Sequence, residues 1–140
     1  MDRPVHILVG EDNPADVYLI RQAIQEHNLA CTMQVARNGA EVLQLLKDAA
    51  LGRGAPDLVL LDLNLPRHDG LEILRFIRDT EVLTGLTVVI LTSSDSPADT
   101  RAALDLGATS YIRKPSNLES FMNIGATLQS LLDDKQKTSV

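Results

Sequence analysis

Leu58-Val59-Leu60-Leu61-Asp62-Leu63-Asn64-Leu65-Pro66 sets the frame for the whole chain. Four apolar residues, preceded by Pro56-Asp57 and closed by Asn64 and Pro66, are too few for a stable helix and too uniformly apolar for a half-exposed strand. The stretch reads as a strand buried on both faces, of the kind found inside a parallel sheet. Asp62 falls where that strand runs out. Ligands of open α/β sheets bind beyond the carboxyl ends of the strands, so an acid delivered there is a candidate reactive group. An Asp in that place can also do no more than start a turn, and the rest of the chain has to decide between the two.

Outward from this strand, strand and helix alternate. Val5–Gly10 reads as a first strand, after which Asn13 can cap, Pro14 suits a first helical turn and Asp16 complements the positive helix end. That helix should run to about His27 with Val17, Ile20, Ala23 and Ile24 inward. Cys31–Ala36 is a second strand, and Asn38-Gly39 opens a helix with Val42, Leu43 and Leu46 on its buried side. Residues 51–56 form a loop before the Asp62 strand. Beyond it, Asp69-Gly70 starts a helix with Leu71, Leu74 and Ile77 on one face, and residues 79–86 make a long connection. Thr87–Thr92 is a fourth strand rich in β-branched residues. Ser96-Pro97-Ala98-Asp99 repeats the cap, proline and acid order of Asn13 to Asp16, opening a helix that closes at Gly107. Residues 108–113 read as a fifth strand. Ser116-Asn117-Leu118-Glu119 reads as a capping box for a last helix presenting Leu118, Met122, Leu128, Leu131 and Leu132, with fraying from Asp133 to Val140.

Five strand–helix units imply right-handed crossovers and a doubly wound α/β domain, its parallel sheet covered by helices on both faces. No second domain, linker, low-complexity tract or repeat interrupts them. The expectation is one domain over 1–140, ordered from about 5 to 132, with no output domain.

Composition narrows the function. The 140 residues carry a net charge of −6 with no cluster of Lys or Arg, which argues against direct nucleic-acid binding, and 3% aromatics leave no base-stacking platform. The apolar runs are too short for a membrane span, and Met1-Asp2-Arg3-Pro4 has no signal-like character, so a cytoplasmic protein is expected. The single cysteine, Cys31, has no partner for a disulfide or a ligand set and reads as a small buried strand residue.

If the strands are parallel, their carboxyl ends deliver Glu11 and Asp12, Asp62, Thr92 and Lys114 to one edge. Each has a plain reading: capping acids, a turn, a β-branched strand end, a solvated lysine. Together they make a site. Converging carboxylates repel by about 4 kcal/mol per pair at 4 Å in an effective dielectric of ~20, which calls for a divalent cation. Mg²⁺ fits as a hard ion that takes oxygen ligands and bridges carboxylates to phosphate. Asp12 and Asp62 are its expected direct ligands, and Glu11 a ligand through water. In-line phosphoryl transfer needs charge stabilised on three equatorial oxygens, for which the metal, the Lys114 ammonium and the Thr92 hydroxyl suffice. Asp62 is then the attacking group and accepts the phosphoryl as an acyl phosphate.

The sequence resembles the receiver domain of two-component response regulators over residues 5 to 132. The resemblance rests on Glu11-Asp12, on Asp62-Leu63-Asn64-Leu65-Pro66 with Asp69-Gly70 after it, on Leu91-Thr92, on Gly107-Ala108 and on Tyr111-Ile112-Arg113-Lys114-Pro115. The separations of 30 residues from Asp62 to Thr92 and 22 from Thr92 to Lys114 are similar to the family's. The resemblance implies a flavodoxin-like (βα)5 fold with strand order 2-1-3-4-5, and the Asn64 carbonyl as a further metal ligand. It implies phosphoryl transfer from a phosphohistidine on a sensor histidine kinase to Asp62, and a cis Lys114-Pro115 bond. Thr92 would move toward the phosphoryl group and Tyr111 would swing inward behind it as switch residues. A shift of the fourth helix, fifth strand and fifth helix would then signal to a downstream protein target, and the same face is expected to support a homodimer.

Gly10 departs from the apolar residue usual in the family and is expected to loosen the backbone under the acidic pair, altering metal affinity. With the long 51–56 and 79–86 connections, the Glu11-Asp12-Asn13-Pro14-Ala15-Asp16 run resembles stand-alone regulators paired with bacterial and cyanobacterial phytochromes. His68 stands beside the site, either tuning it or as a solvated loop residue; His6 and His27 suggest no metal or relay chemistry. Two alternatives remain. One is a degenerate receiver acting as a binding module. The other is an aspartate-nucleophile phosphohydrolase, which normally carries a second acid two residues after the nucleophile, where Asn64 stands here. A flavodoxin is disfavoured because the loop after the first strand is acidic.

Overall fold

The computed structural model describes the backbone of residues 4–138 and the side chains of residues 4–134. Its five strands are β1 (Val5–Gly10), β2 (Cys31–Ala36), β3 (Leu58–Leu61), β4 (Thr87–Thr92) and β5 (Ser110–Arg113). They form one parallel sheet in the order β2-β1-β3-β4-β5. Six α-helices surround it: α1 (Pro14–Glu26), α2 (Gly39–Ala50), α3 (Gly70–Asp79), α4 (Pro97–Asp105), α5 (Leu118–Met122) and α6 (Ile124–Thr138).

β3 has only four residues, all buried. Its side chains alternate between two cores. Val59 and Leu61 pack with Val42, Leu46, Ile73, Leu74 and Ile77 from α2 and α3. Leu58 and Leu60 pack with Ile20 and Ile24 of α1 and with Phe121, Ile124 and Leu128 of α5 and α6. Each such side chain contributes roughly 1.5–3 kcal/mol on burial, so this short strand is held by its two faces and not by its length.

The helix starts follow the caps. Asn13 Oδ1 accepts from the Ala15 and Asp16 amides at 2.9 and 3.4 Å, Asn38 Oδ1 from Glu41 at 2.9 Å, Asp69 Oδ1 from Glu72 at 2.9 Å and Ser96 Oγ from Asp99 at 3.3 Å. Among the described residues no helix is long and apolar enough to cross a membrane.

Several expectations are corrected. Strand β5 begins at Ser110, because residues 107 and 108 finish α4: Gly107 takes φ +94, and the Ala108 amide donates to the Ala103 carbonyl at 3.0 Å. The 79–86 connection contains a 3-10 turn at Glu81–Leu83. Asn117, not Ser116, caps the last helical region by accepting from the Ser120 amide at 2.8 Å, which places Leu118 in the first turn and leaves it 63% exposed. That region is two helices. His27 Nε2 lies 3.0 Å from the Met122 carbonyl, while the Ala126 amide donates to Asn123 instead, at 3.1 Å. The backbone continues as helix to Thr138 where fraying was expected; residues 139 and 140 lie outside the described residues. Cys31 is half-buried, and burial pushes its thiol pKa up, away from reactivity.

Candidate functional site

The site lies at the carboxyl edge of β1, β3, β4 and β5. Parallel register puts the ends of these strands side by side: Gly10 pairs with Leu61, and Thr92 with Arg113. The next residues, Glu11, Asp62 and Lys114, therefore emerge together. Glu11 is 2% exposed, Asp62 5%, and Thr92 is fully buried.

Lys114 is the centre of the electrostatics. Its Nζ lies 2.7 Å from Glu11 Oε1, 2.7 Å from Asp16 Oδ2 and 2.8 Å from Asp62 Oδ2. Its backbone amide donates to the Thr92 carbonyl at 2.7 Å, which anchors the residue to the end of β4. Burial works against the ammonium, but the bonds to Asp16, Asp62 and Glu11 outweigh it and hold the pKa above the usual lysine range.

The acids are crowded. Glu11, Asp12 and Asp62 each offer an oxygen, and these three atoms lie within 4.8 Å of one another. Burial first, and the neighbouring Asp62 charge as well, push the Glu11 carboxyl up to about 7, against the pull of Lys114 and of the Asn13 amide. Four carboxylates (Glu11, Asp12, Asp16, Asp62) face one ammonium, so three negative charges are in excess when all are ionised. A hard divalent cation fits this donor set of carboxylate oxygens and the charge it leaves.

Asn64 joins the acids to the threonine. Its amide donates to Asp62 Oδ1 at 3.0 Å, and its side-chain Nδ2 donates to Thr92 Oγ1 at 3.4 Å. Thr92 Oγ1 also accepts from the Ser94 amide at 3.4 Å. Tyr111 is half-buried, and its hydroxyl reaches the Ser94 carbonyl. Glu11, Asp12, Asp62, Asn64, Thr92 and Lys114 thus gather at one edge, Lys114 by direct contact and Thr92 through Asn64.

One expectation about the surroundings changes. No described peptide bond is cis, so Lys114-Pro115 is trans, the isomer that proline itself favours by ~0.5–1 kcal/mol; the ammonium reaches the acids from there. His68 turns to α3, with Nδ1 2.7 Å from Glu72 Oε2. Its backbone covers α2, since a Cβ on Gly39 would stand 2.1 Å from the His68 carbonyl oxygen.

Asp16 was missed as a site residue because its position in the first turn of α1 already explained an acid there. No helical spacing reports it, since Asp12 and Asn13 precede α1; only its place in the first turn after β1 brings it near the sheet edge. Ser94 carried no motif, and Asp99 figured only as the acid after the Ser96 cap.

Fold and edge together define a doubly wound α/β domain with an acid and lysine cluster at its switch-point edge. The chain matches the response regulator receiver domain over residues 7–124, and it belongs to that family. It is 38% identical over 117 residues, 83% of this chain and 76% of the relative, to the probable methanogenesis regulatory protein FilR2 of Methanothrix harundinacea. The structure of the phosphorylated cyanobacterial phytochrome response regulator RcpA is similar at a TM-score of 0.84 and 32% identity, covering 93% of this chain and 94% of that one. The Mn(2+)-bound form of response regulator Rcp1 is similar at 0.82 and 30%, covering 91% and 93%; Rcp1 is a protein of Synechocystis. Of the transcriptional regulatory protein TrcR of Mycobacterium tuberculosis, 36% identical, this chain spans only 46%.

Proposed function

We propose that the chain accepts a phosphoryl group on Asp62 from a phosphohistidine of a sensor histidine kinase, and that it signals by the resulting change in shape. The observation that carries this reading is Lys114 Nζ at 2.8 Å from Asp62 Oδ2 beside the Glu11, Asp12 and Asp62 cluster. One Asp62 oxygen attacks phosphorus, the bond from phosphorus to the histidine nitrogen breaks with its electron pair, and the imidazole takes a proton from water. Lys114 and Thr92 stabilise the equatorial oxygens. Asp12 and Asp62 directly, Glu11 through water and the Asn64 carbonyl would hold Mg²⁺, which would supply the charge that offsets two anions in contact.

Thr92 and Tyr111 form the switch that passes the change to α4, β5 and α5, where a downstream protein or a second copy binds. The likeness to the phytochrome response regulator RcpA supports a phytochrome-type kinase as donor. The chain works in the cytoplasm, without contacting nucleic acid. It catalyses no turnover beyond its own phosphorylation and slow dephosphorylation.

Incubation with acetyl phosphate and Mg²⁺ should add one phosphoryl group by intact-mass spectrometry, and none to Asp62→Asn. Chromatography before and after labelling follows assembly. A wild-type protein that stays unlabelled by acetyl phosphate and by candidate kinases alike, and that hydrolyses no small phosphoester, would leave the binding-module reading.

A further inference from the structure

Asp16 belongs to none of the groups so far given a task. Its Oδ2 is 2.7 Å from Lys114 Nζ, as close as Glu11 and closer than Asp62. An ammonium has three donors, so Glu11, Asp16 and Asp62 account for all of them. The three acceptors are not equivalent. Glu11 and Asp62 share the cluster of oxygens within 4.8 Å that suits a cation, and Asp16 does not. Glu11 is held from its other oxygen as well, since Oε2 accepts from the Asn13 amide at 3.2 Å.

Asp16 is also well placed by its own segment. Asn13 Oδ1 caps both the Ala15 and Asp16 amides, and the Asn13 amide donates to Glu11 Oε2, which together tie the first turn of α1 to the residue after β1. Lys114 is therefore pinned at both ends, its amide on the Thr92 carbonyl and its ammonium on α1. A cation or a phosphoryl group competes with Lys114 for the oxygens of Glu11 and Asp62, but not for Asp16.

We infer that Asp16 is a positioning residue for phosphoryl transfer: it holds the Lys114 ammonium at the reaction edge from α1 while the other two carboxylates are engaged elsewhere. This rests on the reading of Asp62 as phosphoacceptor. With acetyl phosphate as donor, an Asp62 oxygen forms the new bond to phosphorus, the old phosphorus–oxygen bond breaks, and acetate leaves with the electron pair; Asp16 takes no part in bond making.

The test compares wild type with Asp16→Asn, Asp16→Ala and Asp16→Glu, measuring initial labelling by acetyl phosphate and Mg²⁺, the Lys114 15Nζ resonance by NMR, and thermal melting. Loss of the anchor should slow labelling about tenfold in the Asn and Ala variants, as misplacing a group at a reacting centre does. It should also broaden the Lys114 resonance through faster proton exchange with water. Asp16→Glu, which keeps the charge, should recover part of both. If Asp16 only complements the positive end of α1, melting falls while labelling and the Lys114 resonance stay as in wild type, and the inference is overturned. If wild type itself fails to label, the phosphoacceptor reading fails separately. The Lys114 resonance then decides alone: unchanged in Asp16→Ala, it overturns the anchor, and broadened, it supports it.

Discussion

The Tyr111 hydroxyl donates to the Ser94 carbonyl at 3.1 Å, and the amide of the same serine donates to Thr92 Oγ1 at 3.4 Å. Ser94 Oγ in turn donates to Asp99 Oδ2 at 2.6 Å and accepts from the Ser96 amide at 3.3 Å. One serine therefore links the buried threonine of β4, the tyrosine of β5 and the first turn of α4. Displacement of Thr92 has a short route to α4 through these bonds, without any need for a global rearrangement.

Tyr111→Phe removes the hydroxyl and should cost about 1 kcal/mol of stability. Labelling of Asp62 should stay within about twofold of wild type, because the hydroxyl removed is bonded to the Ser94 carbonyl and not to Asp62 or Lys114. Amide shifts of residues 97–105 on labelling should shrink when followed by NMR. Full-sized shifts in the variant would remove Tyr111 from the switch.

Glu11 gives the site a pH dependence with a definite sign. Its pKa of about 7 in the folded chain exceeds its ordinary 4.5, so the folded state binds the proton more tightly than the unfolded one. Stability from this group is intact below 4.5, falls as pH rises toward 7, and stays at its lower level above 7. Glu11→Gln should therefore raise the melting temperature in EDTA at pH 8 and leave it nearly unchanged at pH 4. Mg²⁺ should stabilise wild type more at pH 8 than at pH 6 and release protons when it binds near pH 7. Equal Mg²⁺ shifts at both pH values would contradict the crowding of acids as the cause.

The fold was legible because β3 is apolar on both faces and because each of α1 to α4 starts on a residue that can cap. The site edge followed from parallel strands alone: Glu11, Asp62, Thr92 and Lys114 are strand-end residues, and strand ends are brought together whatever the side chains do. The sequence misled where two local rules competed. Ser116 and Asn117 are both competent caps, and nothing local says that it is the Asn117 side chain that accepts from the helix. The break between α5 and α6 depends on His27, 95 positions away from Met122, and no local pattern reports it. Gly125 belongs to the same contact, since a Cβ there would stand 2.3 Å from the Ala23 carbonyl oxygen.

Arg78 shows a stabilising role that carried no sequence signal. Its guanidinium donates to the Gly107 carbonyl at 2.9 and 2.7 Å, to Thr84 at 2.9 Å and to Leu86 at 2.7 Å. It thereby ties the 3-10 connection and the end of α4 to α3. Arg78→Ala should destabilise by about 2 kcal/mol in urea unfolding, and Arg78→Lys, which cannot fork, should recover less than half. Loss of under about 0.5 kcal/mol would place these bonds among solvent-screened contacts of little weight.

Gly10 is explained by packing. Its backbone is held in register with Ala36 and Leu61, and its carbonyl accepts from the Asp62 amide at 3.0 Å, so the strand under the acids is not loosened. A Cβ there would lie 2.9 Å from Leu61 Cδ1, 3.1 Å from Val42 Cγ2 and 3.3 Å from Leu65 Cδ1. Neighbouring leucine and valine side chains fill the space that a larger residue would take. Gly10→Ala asks only for small shifts of flexible side-chain ends, and should cost under about 1.5 kcal/mol with Mg²⁺ affinity unchanged. Gly10→Val should cost about 1–3 kcal/mol and displace Leu61, the residue that delivers Asp62. Because Glu11 follows Gly10 directly, that displacement should also weaken Mg²⁺ binding by isothermal titration. A Val variant of wild-type stability and affinity would show that the packing over Gly10 yields freely and that the acids are positioned from elsewhere.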